Sequence, residues 1–175
     1  MAVTVDVNRV HRLLETFSAI GATPRGGVNR LAATEEDAEA RRLLRQWGEA
    51  LGLMHRVDAV GNQFLRWDPQ QTGGPAVLLG SHLDSQPTGG RFDGTLGVVV
   101  AMVVIEALIQ SGHTLRHPVE LVNWTNEEGA RFAPAMLGSG VYAGLFDAPS
   151  ARQIEDDRGI SLGAASFLAS SFFFG

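Results

Sequence analysis

The sequence predicts an α/β fold, and three observations in its middle carry that expectation. Ala76–Gly80 is a short, continuously apolar run of strand length. Thr95–Ser111 is a long apolar stretch of helix length, and Val119–Trp124 is a second, mostly apolar run. The order strand, helix, strand describes a crossover unit inside an α/β sheet. With 175 residues the chain forms one domain or part of a larger one.

The remaining elements follow in chain order. Val10, Leu13, Leu14 and Phe17 repeat at helical spacing, so residues 7–20 form an amphipathic helix. Gly21–Gly27 holds Pro24 and three glycines and is a loop. Thr34-Glu35-Glu36-Asp37 resembles a helix N-cap with acids in the first turn. Ala40, Leu43, Leu44, Trp47 and Leu51 then line one helix face, and Gly52 closes it. The cluster Arg41-Arg42-Arg45 lies among acids on this helix and reads as a solvated face.

Leu53–Val60 and Gln63–Trp67 are expected to form short strands around Gly61-Asn62. Asp68–Pro75 is a polar turn, and Ala76–Gly80 reads as a strand buried on both faces. Residues 138–146 suggest a short helix, and 157–168 a loop running into a weak helical pattern. The last nine residues, Phe167–Gly175, carry no charge and no amphipathic period.

Composition narrows the function classes. A net charge of −5 argues against a nucleic-acid surface. There is no cysteine, which removes disulfides, thiolate metal sites and cysteine nucleophiles, and fits a reducing cytoplasm. No signal-peptide pattern is visible. The apolar stretch Gly97–Ile109 contains Glu106 and is shorter than the ~20 residues of a membrane span, so no membrane association is expected.

The chemistry gathers near the ends of the apolar runs, where open α/β sheets collect ligands. His82 follows Ala76–Gly80, Glu127 and Glu128 follow Val119–Trp124, and Asp93 precedes the long helix. His82 is a candidate metal ligand, with Asp84 two residues on to accept its other ring N–H. The same triplet also describes a turn histidine beside a capping aspartate. Asp93 has two oxygens with which to bridge cations, or it N-caps the following helix. Adjacent Glu127 and Glu128 repel each other and resist desolvation, costs that a cation relieves. One could ligate while the other serves as general base, or both could lie in a solvated loop. Ser81 and Ser85 lack the setting of a serine nucleophile, and phosphate-loop patterns are absent.

Longer segments carry a resemblance. They are Arg25-Gly26-Gly27-Val28-Asn29-Arg30-Leu31 with Thr34–Asp37; Asp58-Ala59-Val60-Gly61-Asn62; Gly80-Ser81-His82-Leu83-Asp84-Ser85; Gly89-Gly90-Arg91-Phe92-Asp93-Gly94; and Thr125-Asn126-Glu127-Glu128-Gly129-Ala130-Arg131-Phe132 followed by Met136–Gly140. Together they resemble the N-terminal portion of hydantoinase/carbamoylase-type amidases. That family includes N-carbamoyl-L-amino-acid hydrolases, allantoate amidohydrolases and β-ureidopropionases. It lies within the dinuclear-metal aminopeptidase and aminoacylase group.

The resemblance implies a mixed, mostly parallel sheet flanked by helices. It implies that residues 1–165 are the N-terminal part of a catalytic domain and 166–175 a divergent apolar tail. His82 then binds one metal, Asp93 bridges two, Glu128 binds the second, Glu127 is the general base and Asp84 orients His82. The implied reaction is hydrolysis of a C–N bond in a ureido or carbamoyl substrate, with two divalent ions, zinc or manganese. Family members also carry two further histidine ligands and a lid and dimerisation domain. No histidine follows His117 in this sequence. The expectation is therefore a truncated form, weakly active or inactive and without the family homodimer. The alternative is a non-catalytic piece whose fold another chain completes.

Overall fold

The structure is a computed structural model and describes residues 3–168; residues 169–175, most of the apolar tail, lie outside the described part. The first helix, α1 (Val7–Ala19), starts where Asp6 accepts the Asn8 amide N–H at 2.9 Å. It buries Leu14 and Phe17, two of the residues that set its spacing. The next helix, α2 (Glu35–Ala50), is capped by Thr34, whose hydroxyl accepts the Asp37 N–H at 3.4 Å. Asp37 in turn accepts the Ala33 N–H at 2.9 Å, so the N-terminal amides are met from both sides.

The solvated Arg face expected on α2 needs correction. Arg41 is only 3% exposed. It donates to Asp37 one turn earlier at 3.0 Å, to the Gly61 carbonyl at 2.8 Å and to the Thr125 hydroxyl at 3.1 Å. Those partners from distant segments satisfy a buried guanidinium, and a local charge run cannot reveal them.

Among the described residues four strands form one sheet: β1 (Met54–Val57), β2 (Gln63–Trp67), β3 (Val77–His82) and β4 (Val119–Trp124), in the order β1-β2-β4-β3. β2 pairs antiparallel with β1 and with β4, while β3 and β4 are parallel. β1 stops at Val57, short of the expected Val60. There Asp58 folds back to accept the amides of Val60 at 3.0 Å and Asn62 at 2.9 Å, which makes a turn of the remainder.

The strand expected to be buried on both faces is instead the sheet edge, with Val77 51% exposed. β4 takes the central place, and all its residues but Trp124 are buried. Apolar runs in β3 and β4 look alike in sequence, and only the pairing order separates edge from centre.

Helix α3 (Thr95–Ser111) connects β3 to β4 as the expected crossover. It packs against β3 and α1 and buries Val98, Met102 and Ile105 with Leu44, Leu65 and Leu121. Each such side chain contributes about 1.5–3 kcal/mol on burial. A smaller cluster with Phe132, Leu137 and Leu162 underlies α4 (Leu137–Tyr142), α5 (Ala148–Gln153) and α6 (Leu162–Leu168). The single helix expected at 138–146 ends early, where Gly144 turns the chain at φ 78°. α5 was not anticipated; Asp147 caps it by accepting the Ser150 N–H at 2.9 Å.

In this topology His82 pairs with Trp124 in the β3–β4 register. The loops leaving both strands therefore emerge side by side at one sheet edge, and α3 begins beside them. No described helix is long and apolar enough to cross a membrane.

Candidate metal centre

His82 ends β3 with its side chain 7% exposed. Its Nδ1 lies 2.9 Å from the Asp84 main-chain carbonyl. A carbonyl only accepts, so Nδ1 carries the proton and the Nε2 lone pair is left for a metal. Nε2 lies 3.8 Å from Asp93 Oδ1 and 3.5 Å from Glu127 Oε2. One donor atom each from His82, Asp93 and Glu128 lie within 4.8 Å of one another. The three sequence-distant segments thus converge on one spot.

The donor set fits a divalent ion. One imidazole nitrogen with carboxylate oxygens suits zinc or manganese better than a soft metal. Zinc donors lie ~2.0–2.2 Å from the ion, which in a tetrahedron separates them by roughly 3.3–3.6 Å. The 3.8 Å between Nε2 and Asp93 Oδ1 is close to that span. Asp93 is 65% exposed, so the cluster opens to solvent on its side.

Asp84 behaves differently from the expected ring partner. Its nearest carboxylate oxygen is 3.9 Å from His82 Nδ1, and its main-chain oxygen holds the ring instead. The carboxylate accepts the amide N–H groups of Glu127 and Glu128, each at 3.2 Å. Asp84 thereby fastens the loop after β4 to the loop after β3. Burial pushes its carboxyl up to about 6; neighbouring Asp37 adds to the rise, while His82 and the two amides oppose it.

The loop after β4 is shaped by Asn62 and Asn126. Asn62 Oδ1 accepts the Thr125 N–H at 2.9 Å, and its Nδ2 donates to Asp58 at 2.8 Å and the Gly138 carbonyl at 2.9 Å. Asn126 adopts a left-handed φ of 53° and donates to the Phe132 carbonyl at 2.6 Å. Asn tolerates this conformation better than most residues, and it turns the chain where the two glutamates begin. Gln86, which no sequence signal marked, donates to Glu128 Oε2 at 3.1 Å.

Asp93 does not cap α3. The cap position is Gly94, with φ 63° and ψ −54°, and no side chain caps this end. The Thr95 N–H donates to the Asp93 carbonyl at 2.5 Å, closing a three-residue γ-turn of the strained hand. A Cβ on Gly94 would stand 2.5 Å from His82 Nδ1 and Cε1. Glycine is what allows the Asp93 turn to lie against the imidazole. Of the other histidines, His55 contacts Gln63 and His113 contacts Ser111, and neither joins a metal-type group among the described residues.

Comparison with known proteins places the chain in a family. Residues 62–156, more than half of the chain, match peptidase family M28. The chain is 43% identical over 159 residues to an N-carbamoyl-L-amino-acid amidohydrolase of Rhizobium meliloti, covering 91% of this chain and 38% of the relative. It is 35% identical over 158 residues to a ureidoglycolate hydrolase of Oryza sativa subsp. japonica, covering 90% of this chain and 33% of that protein. The crystal structure of a hydantoinase/carbamoylase family amidase from Burkholderia ambifaria superposes with a TM-score of 0.93 at 48% identity, over 96% of this chain and 41% of that one. The chain thus spans roughly two fifths or less of the length of the proteins it matches. The matched range runs from β2 to beyond α5, and the chain belongs to peptidase family M28, with a sequence and fold similar to hydantoinase/carbamoylase-type amidases.

Proposed function

We propose that this chain carries the metal-binding part of an amidohydrolase site that cleaves a non-peptide C–N bond in a small ureido or carbamoyl substrate, of the N-carbamoyl-L-amino-acid type. The observation that carries the reading is the convergence of His82, Asp93 and Glu128 within 4.8 Å, with a Glu127 oxygen 3.5 Å from the same imidazole nitrogen. His82, Asp93 and Glu128 would hold two divalent ions, zinc or manganese, with Asp93 serving both. When bound, such ions polarise a carbonyl oxygen and make water acidic enough to ionise near neutral pH.

The remaining roles fall to this chain's own groups. Glu127 takes the proton from the attacking water and delivers it to the leaving nitrogen. Asp84 holds the Glu127 and Glu128 amides, so both carboxylates keep their aim. Gln86 steers Glu128 through its Oε2. The absence of cysteine accords with work in the reducing cytoplasm.

Three protein ligands are few for two ions, because one catalytic zinc ordinarily takes three with a water. Low turnover is therefore the expectation. The test is ammonia release from an N-carbamoyl-L-amino acid, ureidoglycolate and allantoate by the manganese- or zinc-loaded chain. The reading expects measurable release that falls about 100-fold or more in Glu127→Gln with metal content unchanged. Unchanged turnover in Glu127→Gln would overturn Glu127 as the base.

One observation favours a second reading, in which the chain is non-catalytic until another chain completes its fold. β3 is an apolar sheet edge, with Val77 exposed, and Leu96 and Val100 of its packing helix α3 are exposed too. Such edges are ordinarily covered or charged. Metal binding without any turnover, and turnover appearing only with an added partner, would favour that reading.

A further inference from the structure

Arg30 lies outside the metal cluster but joins the segments that build it. It is 2% exposed. Its Nε donates to the Leu83 carbonyl at 2.6 Å, next to His82. Its Nη2 donates to the Thr95 hydroxyl at 3.0 Å, two residues beyond Asp93. Its Nη1 donates to the Phe17 and Ile20 carbonyls at 2.8 and 2.9 Å, at the C-terminal end of α1. A cation there also meets the negative end of the helix dipole.

The main chain around Arg30 repeats the pattern. The Arg30 N–H donates to Ser85 Oγ and the Ser85 N–H to the Arg30 carbonyl, both at 2.8 Å. Next to it, Val28 and Gly89 exchange two backbone bonds at 3.0 Å, which anchors the glycine loop leading to Asp93. One planar side chain and one short segment therefore span the His82 loop, the Asp93 turn and α1. Burial works against the Arg30 charge and prevails, while Asp37 and Asp84 lie near enough to counter part of that cost.

We propose that Arg30 is a positioning residue that fixes the separation of His82 and Asp93, and so sets the geometry of the metal centre. The proposal rests on the metal reading given above. Arg30 touches no reacting atom; it acts through Leu83 and Thr95. Lysine cannot replace it, because an ammonium lacks the fixed fork that reaches carbonyls and a hydroxyl on separate segments at once.

The test uses the 175-residue chain with Arg30→Lys, Thr95→Val and Thr95→Ser. Two readouts are taken. One is Co2+ affinity with the visible spectrum of the bound ion, which reports coordination geometry. The other is amide hydrogen exchange of the metal-free chain. The proposal expects Arg30→Lys and Thr95→Val to weaken Co2+ binding by about 10- to 100-fold and to alter its spectrum. Thr95→Ser, which keeps the hydroxyl, restores both. Exchange should quicken in residues 83–85 and 93–96 while β2 and β4 stay protected.

If Arg30→Lys unfolds the chain, Thr95→Val decides, because it removes a single acceptor. Wild-type affinity and spectrum in Thr95→Val, with unchanged exchange at both segments, would overturn the proposal. If the wild-type chain binds no Co2+, the metal reading fails; selective loosening of the two segments in the variants would still support the positioning role.

Discussion

Replacing Gly94 with alanine tests whether the Asp93 turn is held against His82 by the absence of a side chain. Two separate costs are expected. Backbone in this positive-φ region costs a non-glycine residue about 1–3 kcal/mol. The new Cβ would also stand 2.5 Å from the His82 ring and from the His82 carbonyl oxygen, and that oxygen belongs to a paired strand and yields little. Overpacking of this kind costs about 1–3 kcal/mol. The sum is a loss of about 2–6 kcal/mol, a large part of a small domain's stability. Urea unfolding of Gly94→Ala beside Gly26→Ala separates the two costs. Gly26 also has positive φ, at 81°, but nothing lies within 4 Å of where its Cβ would be. Gly26→Ala should lose only the backbone share. Equal losses at the two positions would refute the contact between Gly94 and the imidazole.

Two further outcomes follow from the same network. Asn62→Ala leaves the buried Thr125 N–H and Gly138 carbonyl without their partner and should cost about 2–5 kcal/mol in urea unfolding; a loss under about 1 kcal/mol would show that the loop after β4 is held otherwise. For Asp156, burial raises the carboxyl, but the Ile160 and Arg158 amides and Arg131 outweigh it and hold it below the ordinary 3.8. Its contribution is therefore full above the unfolded-state value and lost as pH falls through the lower folded value. The stability gap between wild type and Asp156→Asn should be constant near neutral pH and shrink below about pH 4, and a gap that widens in acid would contradict the assignment.

Much of this was legible in the sequence because the signals were local. The periodicity of α1, the Thr34 cap of α2 and the apolar runs of β3, α3 and β4 each depend on neighbours a few residues apart. The convergence of His82, Asp93 and the glutamates could be anticipated because a crossover unit brings strand ends together. What escaped depends on long-range partners. Arg41 looked solvated because Gly61 and Thr125 lie 20 and 84 residues away. The His82–Asp84 spacing points to a contact on the ring, which the Asp84 main-chain oxygen makes, but it does not reveal that the carboxylate serves amides 43 and 44 residues on. β3 reads as a strand buried on both faces because its residues are apolar, and apolar residues do not report sheet order. Arg30 lay within a segment noted for its resemblance, but nothing near it in sequence announces the four bonds its guanidinium makes.

The most direct test of the central claim is anomalous X-ray diffraction from crystals of the chain loaded with zinc, collected across the zinc edge. The account predicts two anomalous peaks, one beside His82 Nε2 and the Asp93 carboxylate and one beside the carboxylates of Asp93 and Glu128, each about 2.0–2.2 Å from its ligand atoms, with the Glu127 carboxylate close by and not bound. A zinc peak elsewhere with this cluster empty, or an ion held by Glu127 in place of Glu128, would contradict it.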